Sequence, residues 1–200
     1  RPIVLERGQD ARTRPEKVQK FWSGGALDPE CNVQFGEGGA GTFSDGKLTT
    51  GTKNERIGWV LEQFADAGAG ADILFDAKPH IGTDVLVEVV QNLREKILHY
   101  GGEVRFGARV TGLVEKNEQL AGMRYEQDGR EHELACTRAA LAIGHSARDT
   151  FGMLLDAGVR MEAKPFSMGV RIEHRQASID AAQYGASAGR QGLPPADYKL

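Results

Sequence analysis

Three observations predict an α/β fold for this chain. Residues 84–100 carry Leu86, Val89, Val90, Leu93 and Ile97 at helical spacing, and Gly101-Gly102 stop that helix before an extended run at 103–106. Three alternating segments, near 110–116, 120–126 and 131–136, are separated only by short turns at 116–119 and 127–129, which predicts an antiparallel meander. Residues 139–143 then form a continuous apolar run with no alternation, as expected of a strand covered on both faces. Together these place the meander as an insertion between two strands of a main sheet.

The other elements follow in chain order. Ile3, Val4 and Leu5 read as a short buried strand ending at Glu6, and residues 14–22 as a modest helix closed by Gly24-Gly25. Asn54 can cap a helix to about residue 67, with Ile57, Leu61, Phe64 and Ala65 on one face, and Thr83 can cap the 84–100 helix. Residues 68–82 have no regular pattern. Ser146 and Asp149 stand in capping-box spacing at the start of a helix to residue 157, which Gly158 stops. Residues 168–173 read as a further strand opening a second domain after Lys164-Pro165, and residues 181–192, rich in Gly and Ala, as a loop. The expected domains are 1–163, with the meander at about 108–137, and 164–200.

Composition narrows the function. In 200 residues, 40% hydrophobic and 26% charged side chains are those of an ordinary globular protein. A formal net charge of -3 gives no basic footprint, which argues against nucleic acid and anionic membranes as partners. Cys31 and Cys136 lack metal-type spacing, and no signal peptide or long apolar span is evident, so a reducing, cytoplasmic compartment is expected. His80 and His174 each lack a second ligand at metal spacing, and no metal site is expected. The chain opens on Arg1-Pro2 without a methionine and closes on Tyr198-Lys199-Leu200 without a terminal helix, which predicts an interior piece of a longer polypeptide.

Chemistry concentrates in residues 35–48, F-G-E-G-G-A-G-T-F-S-D-G-K-L, where five glycines, four hydroxyl or acidic side chains and a lysine share fourteen positions. Glycine lets backbone approach a ligand and aim successive N–H groups at it, and Thr42, Ser44 and Lys47 add donors suited to phosphate oxygens. Residues 36–41 satisfy G-x-G-x-x-G, but the pattern leads into Thr42-Phe43-Ser44-Asp45-Gly46-Lys47 and not into a helix. The segment therefore reads as a cofactor-wrapping loop, distinct from a dinucleotide-binding first turn. A plain surface loop stiffened by Asx and Ser turns is the other reading.

Glu6 ends an early strand, the place where nucleotide-binding sheets put a carboxylate against ribose hydroxyls; an acidic residue also commonly finishes a strand in water. Gly144 and His145 follow the apolar run at the edge where open α/β sheets bind ligands. Residues 144–148, G-H-S-A-R, nearly fit the G-x-S-x-G nucleophile elbow, but Arg148 replaces the small last residue. An esterase using Ser146 is thus one alternative, and a nicotinamide-only Rossmann enzyme another.

The order of V-L-E-R-G (from Val4), the glycine loop, a helix-strand unit, a meander and A-I-G-H-S-A-R-D (from Ala142) resembles the flavoproteins with two dinucleotide-binding domains. More narrowly, V-Q-F-G-E-G-G-A-G-T-F-S-D-G-K-L (from Val33), K-P-H-I-G-T-D (from Lys78), A-I-G-H-S-A-R-D-T-F (from Ala142) and K-P-F-S-M-G-V-R-I-E-H (from Lys164) resemble a family of bacterial FAD-dependent dehydrogenases. The resemblance implies a partial Rossmann-like FAD-binding domain with a β-meander crossover, plus the start of a substrate domain. It implies FAD as cofactor, hydride transfer to or from a small-molecule substrate, and NAD(P)H or another donor or acceptor of electrons as a partner.

By the same resemblance, Glu6 with its neighbour Arg7 would meet the adenosine ribose. Gly36, Gly38, Gly39, Gly41, Thr42, Ser44, Asp45, Gly46, Lys47 and Leu48 would wrap the pyrophosphate and the flavin side. Val110 would offer backbone near the adenine, and Gly144 and His145 would permit close approach. It names no catalytic residue. The family's first strand and glycine turn would precede Arg1, so these 200 residues are expected to hold FAD weakly or not at all.

Overall fold

The computed structural model describes residues 1–44, 46–166, 168–170 and 172–198. They divide into two compact units, Arg1–Arg160 and Met161–Leu200.

The first unit is a mixed α/β structure, with two small sheets among the described residues. Strand β1 (Ile3–Leu5) pairs in parallel with β2 (Glu103–Arg105), Val4 opposite Val104. A parallel pair needs a long crossover, and here it holds helices α1 (Arg14–Trp22), α2 (Arg56–Asp66) and α3 (Thr83–His99). Pairing continues past the strands: Glu6 N–H donates to the Arg105 carbonyl at 2.9 Å, Ala108 N–H to Glu6 at 2.9 Å, and Gly107 N–H to Gly8 at 3.0 Å. The chain leaving β2 is thereby bound to the chain leaving β1.

The principal core lies under α3. Ala67, Ala69, Ile73, Ile81, Leu86 and Val89 are buried together, with Leu61 and Phe64 of α2 packed against them. Two of the stripe positions expected of α3, Leu86 and Val89, are in this core; its cap residue is Gly82, and Thr83 is already helical. The cap position of α2 is Glu55 and not Asn54, although the Asn54 side chain accepts the Arg56 N–H at 2.9 Å just before the helix.

The meander forms as β3 (Arg109–Lys116), β4 (Gln119–Gln127) and β5 (Arg130–Ala135), antiparallel throughout, with irregular register at Val110/Gly112 and Val114/Glu115. Both turns use left-handed backbone: Asn117 and Glu118 in one, Asp128-Gly129 in the other.

Several expectations fail. Residues 139–143 form no strand, and Leu141 is 52% exposed. An apolar run becomes a strand only when a neighbour takes its amides and carbonyls, and the β1–β2 pair does not extend to it. The meander is therefore not seen between two strands of one sheet. Helix α4 (Arg148–Asp156) starts two residues after Ser146, with Ala147 at the cap position and no side-chain cap. The described residues of the expected strand at 168–173 lie outside any strand, and Arg171 lies outside the described residues. In the second unit, α5 (Gln176–Tyr184) and a 3-10 turn (Gly185–Ser187) occupy much of the expected loop. No helix among the described residues is long and apolar enough to cross a membrane.

Candidate functional site

The carboxyl end of β1 is where the residues singled out by sequence meet. Glu6 Oε1 accepts two backbone N–H groups, from Gly8 at 2.8 Å and from Gly36 at 2.9 Å. One carboxylate oxygen thus joins the strand exit to the glycine loop. The backbones of Gly8 and Gly36 are so close that a Cβ on Gly8 would lie 2.6 Å from Gly36 Cα.

Arg7, next along, bridges two acids. Its guanidinium donates to Glu30 at 2.9 and 3.1 Å and to Asp149 at 3.0 and 2.8 Å, and it lies 4.4 Å above the Phe35 ring. Burial works against the charge, but the hydrogen bonds to Asp149 and Glu30 outweigh it and raise the Arg7 pKa. The same bond from Arg7 lowers the pKa of Asp149. Asp149, expected as half of a capping box, instead ties α4 to the end of β1. Arg109 adds a 2.7 Å pair with Glu126 and lies 3.9 Å from Glu30 and 4.0 Å from Asp149. Val110, the adjoining residue, is half-buried opposite Tyr125.

The loop itself is more structured than its composition suggests. Residues Gly39–Phe43 form a 3-10 turn. Thr42 is buried, its hydroxyl 3.4 Å from the Glu37 carbonyl and 3.5 Å from an Arg14 nitrogen, so it faces the protein interior. Ser44 is exposed; its hydroxyl donates to the Gly41 carbonyl and accepts the Gly46 N–H. Asp45 lies outside the described residues. Beyond it the loop is clipped to the segment at 79–81: Ile81 N–H donates to Gly46 at 2.9 Å, Leu48 N–H to Pro79 at 2.9 Å, and exposed Lys47 forms a bridge with His80. Gly46 is required here, because any Cβ would collide with the Ile81 carbonyl. By contrast, a Cβ on Gly39 or Gly41 would meet nothing within 4 Å among the described residues.

Gly144 and His145 are exposed, with Gly144 at φ +67°. The Ser146 hydroxyl donates to Gln34 Oε1 at 3.2 Å and lies 3.4 Å from His145 Nδ1. This brings the 144–149 segment to the start of the glycine loop. It does not make a nucleophile elbow, which needs a strand before the turn where residues 139–143 have none.

Two residues that organise this region went unnoticed in the sequence. Glu37 is nearly buried, pairs with Arg94 at 2.9 Å and accepts the Ala11 N–H at 2.8 Å; burial raises its pKa. Arg14 is fully buried and donates to the carbonyls of Asn32 at 2.9 Å, Val33 at 2.8 Å and Glu37 at 2.7 Å, with its guanidinium 4.8 Å above Phe43. Burial lowers its pKa. A signal existed: a cation in the first turn of a helix opposes the helix dipole, so some other partner has to hold it there.

A pocket of about 430 Å³ opens between α1 and the start of the loop, lined by Phe21, Leu27, Cys31 and Phe35 among others. Its lining includes neither Glu6 nor any of the loop residues from Gly36 onward.

Residues 165–200 match the model of a family described as FAD-dependent protein, C-terminal domain-like. Over all 200 residues the chain is 48% identical to an uncharacterized protein of Clostridium beijerinckii, and spans 37% of that protein's length. A similar solved structure is the 3-ketosteroid-delta4-(5alpha)-dehydrogenase from Rhodococcus jostii RHA1, with 14% identity, 68% of this chain and 35% of that chain covered, and a TM-score of 0.33. So slight a likeness leaves the site to be argued from this chain's own geometry.

Proposed function

We propose that the chain is part of an FAD-dependent oxidoreductase, a dehydrogenase whose first unit supplies part of a Rossmann-like cofactor site and whose second unit begins the substrate domain. The observation that carries this reading is the convergence at the end of β1 of Glu6, the glycine loop through Gly36, and the 144–149 segment through Asp149 and Ser146. The match of residues 165–200 to an FAD-dependent family supports it independently.

The residues present fit the cofactor. A carboxylate offers about four acceptor sites, and Glu6 commits one oxygen to two amides, which orients the group while leaving capacity for ribose hydroxyls. Gly39 and Gly41 front open space, as backbone must where a pyrophosphate comes close. Lys47 is exposed on the same loop and would add a donor, as would Ser44 once its hydroxyl turned from the Gly41 carbonyl to the phosphate. Arg7, bound to Glu30 and Asp149, would act by fixing the two segments between which the cofactor lies. Val110 would present backbone beside the adenine, and Gly144 and His145 would border the flavin side. Bound FAD would supply hydride transfer, and the chain's part is to orient it and exclude water. The substrate is a small molecule, and the electron partner NAD(P)H or another carrier. A soluble, cytoplasmic setting accords with the two free cysteines.

Competitive equilibrium dialysis of the whole oxidoreductase of which the chain is proposed to be part, against FAD, FMN and NADH, tests the reading. FAD is expected to be retained ahead of both others, and Glu6→Ala to weaken FAD at least tenfold while leaving FMN, which has no adenosine ribose, unchanged. Retention of NADH ahead of FAD, or no preference, sinks it.

A further inference from the structure

Arg14 is a buried charge with no carboxylate hydrogen-bonded to it among the described residues: Glu6 acts on it only through space, and the groups that hold it are three carbonyls and one hydroxyl, all from residues 32–42, and one aromatic face. A buried guanidinium needs such a complete set of acceptors, and a loop that provides them cannot change shape without stranding the charge. The constraint also runs the other way. A Cβ on Gly36, at φ +120°, would collide with the Arg14 side chain, so this glycine is spent on admitting the arginine and not on admitting a ligand.

The direction of the carbonyls matters as much as their number. In a planar trans peptide the C=O and the following N–H point opposite ways. The Glu37 carbonyl is drawn inward by Arg14 at 2.7 Å and by the Thr42 hydroxyl at 3.4 Å. The Gly38 N–H in the same peptide unit therefore points away from the guanidinium, and Gly38 is exposed. Immediately after it come Gly39 and Gly41, the two loop glycines that front open space.

We propose that Arg14 is the positioning residue of the anion grip: from behind the loop it fixes residues 32–43 and aims the Gly38 amide at a phosphate oxygen of the ligand. This rests on the flavin reading for the ligand's identity but not for the loop's order. Arg14 touches no ligand itself and acts through the peptide units it holds.

The test is hydrogen exchange, resolved by segment, on Arg14→Met and Arg14→Lys, together with FAD dialysis, both on the whole protein that carries this chain. Both variants are expected to raise exchange in residues 32–43 at least tenfold while α3 and β3–β5 keep their protection, and to weaken FAD at least tenfold. Lysine fails as methionine does, because a point charge lacks the planar fork that spans three carbonyls. Unchanged exchange in 32–43, rescue by lysine, or unfolding of both variants overturns the proposal. If exchange rises locally but the unsubstituted whole protein shows no preference for FAD, the flavin reading falls and the loop-setting role of Arg14 stands.

Discussion

Two short apolar runs, one of Ile, Val and Leu and one mostly of Ala, met different ends. Ile3, Val4 and Leu5 became β1, whereas residues 139–143 lie unpaired with Leu141 exposed. The first run has β2 beside it and Gly107-Ala108 beyond; the second has no strand alongside among the described residues. A strand is a relation between two segments. Apolar composition permits it and a neighbour's free backbone decides it.

A pair of proline substitutions breaks the comparison most directly. Ala108→Pro deletes the donor to the Glu6 carbonyl and puts a ring where Ala108 is 1% exposed, and should cost about 3 kcal/mol in urea unfolding. Next, Gly36→Ala forces a Cβ into Arg14 at a left-handed φ, with an expected loss of about 2 kcal/mol by the same measurement. Asp149→Asn halves the Arg7 bridge; because the Asp149 side chain is 47% exposed, solvent screening holds the loss to about 0.5 kcal/mol. The pH dependence follows from Asp149's lowered pKa. Its contribution is present above the unfolded carboxylate value and disappears as pH falls through the folded one, so the gap between wild type and variant should close in acid. Last, Ala140→Pro, the counterpart in the unpaired run, should shift the urea midpoint by less than the equivalent of about 0.5 kcal/mol. A large loss at Ala140 would show that the two runs are not different after all.

What the sequence disclosed was local. Leu86 and Val89 are buried as the helical stripe of α3 required, α1 spans the residues its pattern indicated, and the meander turns are where Asn117 and Asp128-Gly129 put them. These depend on contacts a few residues apart. The expected loop at 181–192, much of it α5 and a 3-10 turn, is a local miss, but the failures around the site are of longer range: residues 139–143 wanted a partner strand, and Ser146 and Asp149 found Gln34 and Arg7 in place of each other's helix end. The same holds within the candidate site. Glu6 and Gly36 could be picked out by residue type and position, but the bond between them spans 30 positions and the pairing of Gly46 with Ile81 spans more. Arg14 was the least visible, since a buried arginine held by carbonyls leaves no complementary acid in the sequence to search for.

The clip between Lys47 and His80 has a practical corollary for engineering this protein. It gathers the excursion containing α2 at its base, so the chain path into and out of the excursion is settled independently of how long the excursion is. Exposed Thr50, Gly51 and Thr52 lie just inside that base. Closing a longer loop costs only about 0.6 kcal/mol per doubling of its length. A reporter peptide or small domain could therefore be spliced in at Gly51, and the glycine loop, fastened ahead of the splice, would be shielded from its presence.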